Sequence, residues 1–537
     1  MSGVDAPARP QRGDVLELRI DSLAYGGEGV ARLGDSPPGG SGEHGPAPGG
    51  SGEHGPAPGG SGEHGPAPGG PAERGGGYVV FVAGAIPGDL VRAVVHKRKR
   101  SYAHARTLEV LDPSPERLAP TASHPGVPWQ VIPYERQLEI KRAQVDEALA
   151  RIGHLEGYEL EEIVPALQRW RYRNKLEYSF GGGSTGDPVH GGELVCGFHA
   201  SAGARQVEPM TDCLLASEQG NLAREAALRW CRAQGLSAWD RGWDPEPGAS
   251  REPGATHGAR RQHDQRTAPA ADGRARLRNL VVREGRRTGK LQVRIVTTDG
   301  ELDAGTLAAA LSAELGERLS GVLWTRSRSL AETTAGGETE LVWGEAELPE
   351  RLGGLDLLIS SEAFFQTNTE MAELLYGVAG EYAALEGWER VYDLYCGIGT
   401  IALTLAPRAG ELWGIELVEQ AVADAIAGAR RNGVTNAHFF AGDARLALPE
   451  LIERAGRPDV VVVDPPRAGL SKKVVHRIID ASPRRIVYVS CNPTTLAPNA
   501  AELVAAGWKL RRVRPVDMFP QTHHMECVAL LERNAGR

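Results

Sequence analysis

The sequence predicts an α/β protein with three parts: an N-terminal β-barrel, a mixed α/β segment, and a doubly wound parallel sheet. Three observations predict this fold class. Residues 14–111 alternate apolar and polar positions between Gly-Gly and Pro-Gly turns, which is typical of a small barrel. Residues 160–360 mix strand-like and helical patterns. After residue 360, short apolar strands alternate with helices, which indicates a parallel sheet covered by helices.

Composition narrows the class of protein. The chain has 537 residues, enough for several domains, and a net charge of −9, which excludes a uniformly basic nucleic-acid binder but not a local basic face. None of the six cysteines has a CxxC spacing, so a zinc ribbon and a disulfide framework are both disfavoured. No apolar run is long enough for a membrane span, and no signal peptide is apparent. We expect a monomeric cytoplasmic protein without membrane contact.

The first domain is predicted over residues 10–112, interrupted by a repeat. The ten-residue unit GGSGEHGPAP occurs three times in tandem, at 39–48, 49–58 and 59–68. It contains no residue that could form a core, so we interpret 36–77 as a disordered insertion in a hairpin, in preference to a histidine metal site.

A cationic run follows in the same domain. Six Lys or Arg and no acid lie between Arg92 and Arg106, with Tyr102 and two histidines among them. This pattern favours contact with an RNA backbone, although a charged strand edge that blocks aggregation has the same pattern. The residues predicted to bind RNA are Lys97, Arg98, Lys99 and Arg100.

The second domain is predicted over residues 130–360. An amphipathic pattern predicts a helix over 134–152, and strands are expected at KLEYSF, LRNLVVRE, KLQVRIVTT and GVLWTRS. The breaker-rich stretch 243–275 is expected to be a second disordered insertion.

The third domain, 361–537, carries a glycine turn. The first strand runs into DLYCGIGTIAL, where Gly397 and Gly399 allow a tight turn at the carboxyl edge of the sheet. Glu416 ends the next strand, where an acid suits ribose hydroxyls, and Asp443 ends the third, within reach of an adenine edge. The third glycine of a dinucleotide-binding loop is missing, so the pattern favours S-adenosylmethionine over a nicotinamide cofactor.

Two more strand ends carry reactive groups. Strand four ends in DPPRAGL, a stiff turn that begins at Asp464, and strand five ends in SCNP. Cys491 therefore lies at the ligand-binding edge, and its position before a helix predicts a thiolate of lowered pKa that acts as a nucleophile. Glu526, in HHMEC, is then the candidate base, although a capping role is the simpler interpretation. The remaining cysteines Cys231, Cys396 and Cys527 are expected in the core.

At these motifs the chain resembles the RNA uracil-5-methyltransferases, and within them the ribosomal RNA enzymes that carry an N-terminal TRAM domain. LAYGGEGVAR and FVAGAIPGD are similar to a TRAM domain, an OB-like barrel that binds RNA. FFQTNTEMAELLY, DLYCGIGT, DPPRAGL, SCNP and HHMEC resemble the family's motifs in the family's order. The resemblance implies a Rossmann-like class I methyltransferase domain that methylates C5 of a uridine, with 23S ribosomal RNA favoured over transfer RNA.

The resemblance also implies roles for particular residues. It places the nucleophile at Cys491 and the base at Glu526. Many TRAM-bearing relatives hold an iron–sulfur cluster on four cysteines, but the stretch after the barrel here lacks its three, and Cys213 matches only the fourth, so no cluster is expected. The implied positions for S-adenosylmethionine are Gln366, Tyr395, Thr400, Glu416, Asp443 and Asp464, with Thr400 replacing an Asn of some members.

Three alternative functions would each predict a different feature of the sequence. A 5-methylcytosine enzyme would carry a cysteine in the strand-four motif, which here reads DPPR. An exocyclic-amine methyltransferase would have an aromatic residue after the two prolines, where this chain has Arg467. A non-catalytic TRAM-domain RNA-binding protein would not need Cys491, Glu526 and Glu416 together.

Overall fold

The computed structural model describes residues 9–33, 77–182, 192–199, 206–239, 272–331 and 333–533. The chain divides into two compact units, residues 1–119 with 131–136, and residues 120–130 with 137–537. The predicted insertions 36–77 and 243–275 lie outside the described residues, except for Gly77 and for 272–275.

The first unit contains a six-stranded sheet in the order β1-β5-β6-β4-β3-β2. Alternate residues such as Val80, Val82, Ala103 and Ala105 are buried, as the period-2 pattern predicts. The sequence predicts a barrel, but within the described residues no ladder joins the end strands β1 and β2. The strands are β1 (Val15–Arg19), β2 (Ser22–Leu23), β3 (Gly29–Leu33), β4 (Tyr78–Ala83), β5 (Leu90–Arg98) and β6 (Tyr102–Asp112).

After the first sheet, the chain continues into a helix and a mixed sheet. Helix α1 (Tyr134–Glu147) runs into a π-helical turn, Ala148–Ile152, so the helix predicted over 134–152 is present but changes geometry at its end. A seven-stranded sheet follows in the order β10-β9-β8-β11-β12-β13-β14, and all four strands predicted here are found. These elements are β7 (Glu159–Leu160), which joins the later sheet, β8 (Lys175–Gly182), β9 (Leu194–His199), β10 (Val207–Pro209), α2 (Glu218–Ala233), β11 (Leu277–Gly285), β12 (Lys290–Thr297), α3 (Ala304–Leu315), β13 (Leu319–Arg326) and β14 (Glu338–Gly344).

A hairpin, β15 (Leu348–Leu352) with β16 (Leu355–Ile359), leads into an eight-stranded sheet, ordered β19-β18-β17-β20-β21-β23-β22-β7. The first five strands in this order, from β19 to β21, run parallel to one another. Strand β23 is antiparallel to both of its neighbours, β21 and β22. The order reverses direction between β17 and β20, which is where such sheets bind ligands. The strands are β17 (Arg390–Leu394), β18 (Glu411–Glu416), β19 (Ala437–Ala441), β20 (Val460–Val463), β21 (Arg485–Ser490), β22 (Trp508–Val516) and β23 (Glu526–Arg533).

Helices accompany this sheet and alternate with its parallel strands. They are α4 (Thr369–Ala383), α5 (Thr400–Leu405), α6 (Glu419–Arg431), α7 (Ala444–Ala455), α8 (Lys472–Ala481) and α9 (Pro493–Ala505). Asn368, Asp443, Ser471 and Asn492 cap their helices through side-chain oxygens, which fixes where each helix begins at the end of a loop. None of the helices in the described ranges combines the length and apolar composition that a membrane span requires.

Candidate active site

The glycine turn after β17 is held in left-handed geometry. Tyr395, Gly397 and Gly399 have φ values of 65°, 55° and 78°. The Tyr395 amide donates to the Ile415 carbonyl at 2.8 Å, which ties the turn to β18. A Cβ on Gly397 would meet nothing within 4 Å, whereas one on Gly399 would come within 2.9 Å of the Phe439 ring. The turn thus leaves open space above Gly397 at the switch point of the sheet.

Two carboxylates lie beside this turn. One oxygen of Glu416 accepts from the Gly397 amide at 3.1 Å, and the other accepts from the Leu417 and Val418 amides at 2.7 and 3.0 Å. Asp443 follows the adjacent strand β19, where its side chain caps α7. The Arg445 amide, which donates to Asp443, lowers the pKa of that carboxyl. Both carboxylates remain partly exposed at the sheet edge.

Two other residues predicted to hold the cofactor are more enclosed. Gln366 is buried on the segment before α4, and its carbonyl accepts from the Asn174 side chain at 2.8 Å. Thr400 is buried at the start of α5, where its hydroxyl donates to the Tyr376 hydroxyl at 3.1 Å. The Thr400 side chain is therefore engaged within the protein.

Asp393 is a buried carboxyl to which the sequence motifs assign no role. It lies on β17 with no exposed surface, and neither of its oxygens has a hydrogen-bond partner of ordinary geometry among the described residues. Burial, together with the charge of nearby Asp464, raises its pKa well above the usual range. In the sequence, the feature that could have indicated this buried carboxyl is an acid inside the apolar run VYDLY.

This edge fits an adenosine-containing cofactor. Gly397 has no Cβ to occupy the open space above it. Its backbone can therefore come close to a ligand there. Three amides engage Glu416, and a carboxylate offers about four lone-pair sites, so one acceptor site remains for a ribose hydroxyl. Leu417 and Leu446, both about two-thirds exposed, add apolar surface beside the two carboxylates.

Cys491 lies at the end of β21, as predicted, but its pKa is not lowered. Burial and the negative charges of Glu526 and Asp464 raise the pKa of the thiol to about 12, and Arg467 opposes them only in part. The prediction of a preformed thiolate is therefore wrong for this structure. Burial, together with the nearby carboxyls, outweighs the effect of the following helix, α9.

Glu526 lies on the strand adjacent to the thiol. It is the first residue of β23, and the pair Ser490–Cys527 aligns β21 and β23 so that Glu526 and Cys491 follow the same rung. Glu526 is 3% exposed, and within the described part of the chain its Oε2 atom has no hydrogen-bond partner. Burial and the charge of Asp464 raise its pKa well above the usual range. Burial also raises the pKa of Asp464 to about 7.

Arg467 is the cation of this cluster, and the sequence pattern alone assigns it no catalytic role. Its guanidinium donates to Nδ1 of His524 at 2.9 Å. Burial, with the neighbouring cations, lowers the pKa of His524 to about 3, so the ring is neutral and accepts. The Asn492 and Thr495 side chains donate to the Arg467 carbonyl at 3.1 and 3.2 Å, which fixes the DPPR turn against the SCNP turn.

A basic, aromatic groove adjoins the segment that carries Gln366. It encloses about 310 Å³ between β8, β9, β11 and that segment. Phe364 at its rim is 66% exposed. The lining side chains include Arg173, Lys175, Arg283, Glu177, Phe198 and Phe365.

The cationic run Lys97, Arg98, Lys99 and Arg100 is exposed on the β5–β6 hairpin of the first unit. The thiol and the glycine turn belong to the second unit. Cys231, Cys396 and Cys527 are buried, which confirms the prediction that they are core residues.

Known RNA methyltransferases are similar to this chain in sequence. The family described as tRNA (uracil-5-)-methyltransferase matches residues 357–534. An uncharacterized RNA methyltransferase of Halalkalibacterium halodurans is 33% identical over 537 residues and covers 99% of both chains. Another, of Porphyromonas gingivalis, is 37% identical over 472 residues, 85% of this chain and 96% of its own.

A solved structure is also similar over most of the chain. It is the Pyrococcus abyssi tRNA (uracil-54, C5)-methyltransferase in complex with S-adenosyl-L-homocysteine. The TM-score is 0.65 at 25% sequence identity, and the alignment covers 96% of this chain and 100% of the other.

Proposed function

The chain belongs to the S-adenosylmethionine-dependent RNA uracil-5-methyltransferase family, and we propose that it methylates a uridine of 23S ribosomal RNA through a covalent bond to Cys491. The observation that carries this proposal is the cluster at one sheet edge. There a thiol, two carboxyls and a cation (Cys491, Glu526, Asp464 and Arg467) influence one another's charge. A nucleophile and a base on adjacent strands suit a reaction that adds to a ring and later removes a proton.

The chemistry of uracil explains the need for a thiol. C5 of uracil is a weak nucleophile, and addition of the Cys491 sulfur to C6 forms a C–S bond and places negative charge on the ring as an enolate. When bound, S-adenosylmethionine would supply an electrophilic methyl group for C5, with its methyl–sulfur bond breaking and S-adenosylhomocysteine leaving. Glu526 then removes the C5 proton, the C6–S bond breaks, and the thiolate is restored.

Because the pKa of Cys491 is raised, the thiol needs a neighbouring group that accepts its proton. The thiol must lose its proton as it attacks, and Asp464, with a pKa raised to about 7, is poised to accept a proton near neutral pH. Arg467 opposes the buildup of negative charge when the thiol ionises. Burial and the charge of Asp464 raise the pKa of Glu526, which makes its carboxylate a stronger base toward the C5 proton than an exposed glutamate would be.

The cofactor would be held at the glycine turn. The residues we assign to it are Gln366, Tyr395, Thr400, Glu416, Asp443 and Asp464. Glu416 would accept from one ribose hydroxyl through its remaining acceptor site, and Asp443 would bind the adenine edge. The buried hydroxyl of Thr400 bonds to Tyr376, so its contribution would come through the helix that it begins.

We assign the first unit, with Lys97, Arg98, Lys99 and Arg100, as a TRAM domain that binds RNA. The basic, aromatic groove beside Gln366 provides cations near the site for the RNA backbone. The target uridine must leave its stack to reach the buried thiol. The TRAM assignment favours ribosomal RNA, whereas the similarity to an archaeal tRNA enzyme favours transfer RNA as the second candidate.

The RNA can be identified with purified fractions. The full chain is incubated with methyl-labelled S-adenosylmethionine and either 23S ribosomal RNA or transfer RNA that lacks 5-methyluridine. We expect label in 5-methyluridine of the ribosomal RNA, and none with Cys491→Ala. Label in transfer RNA alone would establish the second candidate, and label in cytidine or in an exocyclic amine would refute uracil methylation.

A further inference from the structure

The outward face of the N-terminal sheet carries a cluster of aromatic rings. Phe81 on β4 lies 5.4 Å from His104 and 5.6 Å from Tyr102, both on β6, measured between ring centroids. The Phe81 and His104 rings are stacked, and Tyr102 meets both rings edge-on. His96 on β5 continues the cluster, 6.1 Å from His104. Tyr102 and Phe81 remain partly exposed, and His96 is exposed.

The strand register explains why these rings share one face. Parallel pairing of β4 with β6 places Phe81 opposite His104 and the residue pair Val79–Tyr102 two positions before it. The residues between them, Val80 and Ala103, point into the core. A register shift between Val95 and Lys97 interrupts the pairing of β5 with β6 at His96.

The cluster is held in place from two sides. Both carboxylate oxygens of Glu28 lie 3.1 Å from Nδ1 of His104, which orients that ring. The Tyr78 hydroxyl lies between two carbonyl oxygens, 2.6 Å from that of Tyr102 and 2.9 Å from that of Lys99, and shares its one proton between them. The His104 ring and the hairpin that carries Tyr102 are therefore held in place before any ligand binds, which reduces the entropy lost on binding.

Exposed positive charge lies beside the rings. The hairpin after β5 carries the exposed residues Lys97 to Arg100, and Arg106 on β6 is also exposed. By contrast, Arg92 farther along β5 is paired with Glu109 at 2.7 Å and with Glu17 at 3.3 Å. The exposed cations are thus next to the rings, whereas the arginine that two acids neutralise is distant along the strand.

We propose that Phe81, Tyr102 and His104 form a platform on which unpaired bases of the RNA stack, while Lys97 to Arg100 contact the adjoining phosphates. Flat rings beside a cationic edge are the combination that binds single-stranded nucleic acid, because every base offers a π face and every linkage a negative charge. A duplex would present phosphates but no free base faces, so it would use only the cationic part. This proposal rests on the proposed function only for the identity of RNA as partner.

The test measures binding of the full chain to oligoadenylate, without cofactor. Oligoadenylate contains no uracil, so failure of the methylation proposal would leave this measurement unaffected. We expect Phe81→Leu and Tyr102→Leu to weaken binding of the unpaired strand roughly tenfold each, since stacking contributes about 1–3 kcal/mol per base. Binding to an RNA duplex of equal length should change less than about twofold. Leu108→Ala, at a residue on β6 that is 50% exposed, is the matched control and should bind as the parent does.

The salt dependence separates stacking from charge. The leucine variants should keep the parent's slope of log affinity against log salt. Lys97→Gln with Lys99→Gln should instead reduce that slope by about 0.7 for each phosphate that the lysines no longer neutralise. Phe81→Trp guards against misfolding as an explanation, because a larger ring should retain or increase affinity.

Three results would overturn the platform. The first is unchanged binding of the unpaired strand in both leucine variants. The second is an equal loss of affinity for strand and duplex, which would mean that the rings act through the fold of the sheet. The third is a loss of affinity in Phe81→Trp equal to that in Phe81→Leu.

Discussion

The thiol of Cys491 shows how local charge determines reactivity at the scale of one residue. A helix start alone favours a thiolate, and the sequence pattern predicts one. In the folded chain, burial removes the water that would stabilise the thiolate, and the charges of Glu526 and Asp464 disfavour it further. The thiol therefore stays protonated at neutral pH in the folded chain.

Alkylation of the thiol tests this directly. Because only the thiolate reacts, labelling of Cys491 by iodoacetamide should rise about tenfold per pH unit between pH 7 and 10 without a plateau. The other cysteines are buried, and labelling of Cys491→Ala measures their contribution. Arg467→Gln should slow labelling further, since it removes the cation that opposes the raised pKa. A plateau below pH 8 would mean that the pKa is lowered after all.

Glu526 permits a test of the order of steps. With Glu526→Gln, thiol addition and methyl transfer do not require a base at C5, so both should proceed. Gln cannot accept the C5 proton, so the methylated RNA should remain attached to Cys491 and give a band that survives denaturing electrophoresis. Gln has nearly the size and shape of Glu, which limits the effect of the substitution on folding.

Cys491→Ala is the matched control and should give neither the band nor methylation. Normal turnover of Glu526→Gln would assign Glu526 a structural role and require another base. Binding of RNA and cofactor without an adduct would place the action of Glu526 before addition.

At the scale of elements, the catalytic turns are held by side-chain clamps. Asn499 on α9 accepts from the Leu470 amide at 2.9 Å and from the Tyr488 hydroxyl at 3.0 Å, and donates to the Leu470 carbonyl at 3.1 Å. Gly469 has a φ of 74°, and a Cβ there would come within 2.8 Å of the Asn499 side chain. This clamp fixes the end of the turn that carries Asp464 and Arg467.

Removal of the clamp should affect stability and activity together. Asn499→Ala leaves two buried backbone groups of Leu470 without partners, which should cost about 1–3 kcal/mol for each in unfolding free energy. Tyr488→Phe removes one bond and leaves the clamp on Leu470, so it should cost about 1 kcal/mol and retain activity. Urea unfolding and turnover measured on both variants check this. Equal effects of the two substitutions would show that the clamp does not position the turn.

The strands of the parallel sheet could be predicted because their signal is local. VVVV of β20 and IVYVS of β21 are apolar runs between turn residues, and they pair as expected. The π-helical turn at Ala148–Ile152 and the open ends of the first sheet could not be predicted, because they depend on long-range packing. The same holds for Asp393 and Arg467, whose importance comes from neighbours far away in sequence.

At the scale of the whole molecule, Cys213 packs against the segment that follows the first sheet. It is buried, and its sulfur lies 3.2 Å from Nε2 of His124, which belongs to that segment. The segment contains no cysteine that could join Cys213 in holding an iron–sulfur cluster. Burial lowers the pKa of His124 to about 4, so a neutral ring contacts the thiol. We expect protein purified without oxygen to contain no stoichiometric iron or acid-labile sulfide. Iron in stoichiometric amount would show that other ligands hold a cluster.

A buried ion pair joins distant parts of the second unit. Lys141 on α1 and Asp517 after β22 are both fully buried, with Nζ 2.5 Å from Oδ1. Lys141 also donates to the Phe519 carbonyl at 3.1 Å, and Phe519 meets His524, the partner of Arg467. The pair thus anchors the segment that carries Phe519 and His524. Its effects on stability and on activity can be separated by substitution.

Replacing Lys141 alone should destabilise the protein far more than replacing both members of the ion pair. Lys141→Met leaves the Asp517 carboxylate buried without its cation, and this should reduce the unfolding free energy by about 3–5 kcal/mol. Lys141→Met with Asp517→Leu removes both charges, so most of that stability should return. If the pair positions the catalytic segment, the double variant should be stable in urea yet slower in methyl transfer, because the bond to the Phe519 carbonyl is still absent. Full activity in the stable double variant would mean that the pair contributes to folding alone, and that packing of Phe519 is enough to place His524 and Arg467.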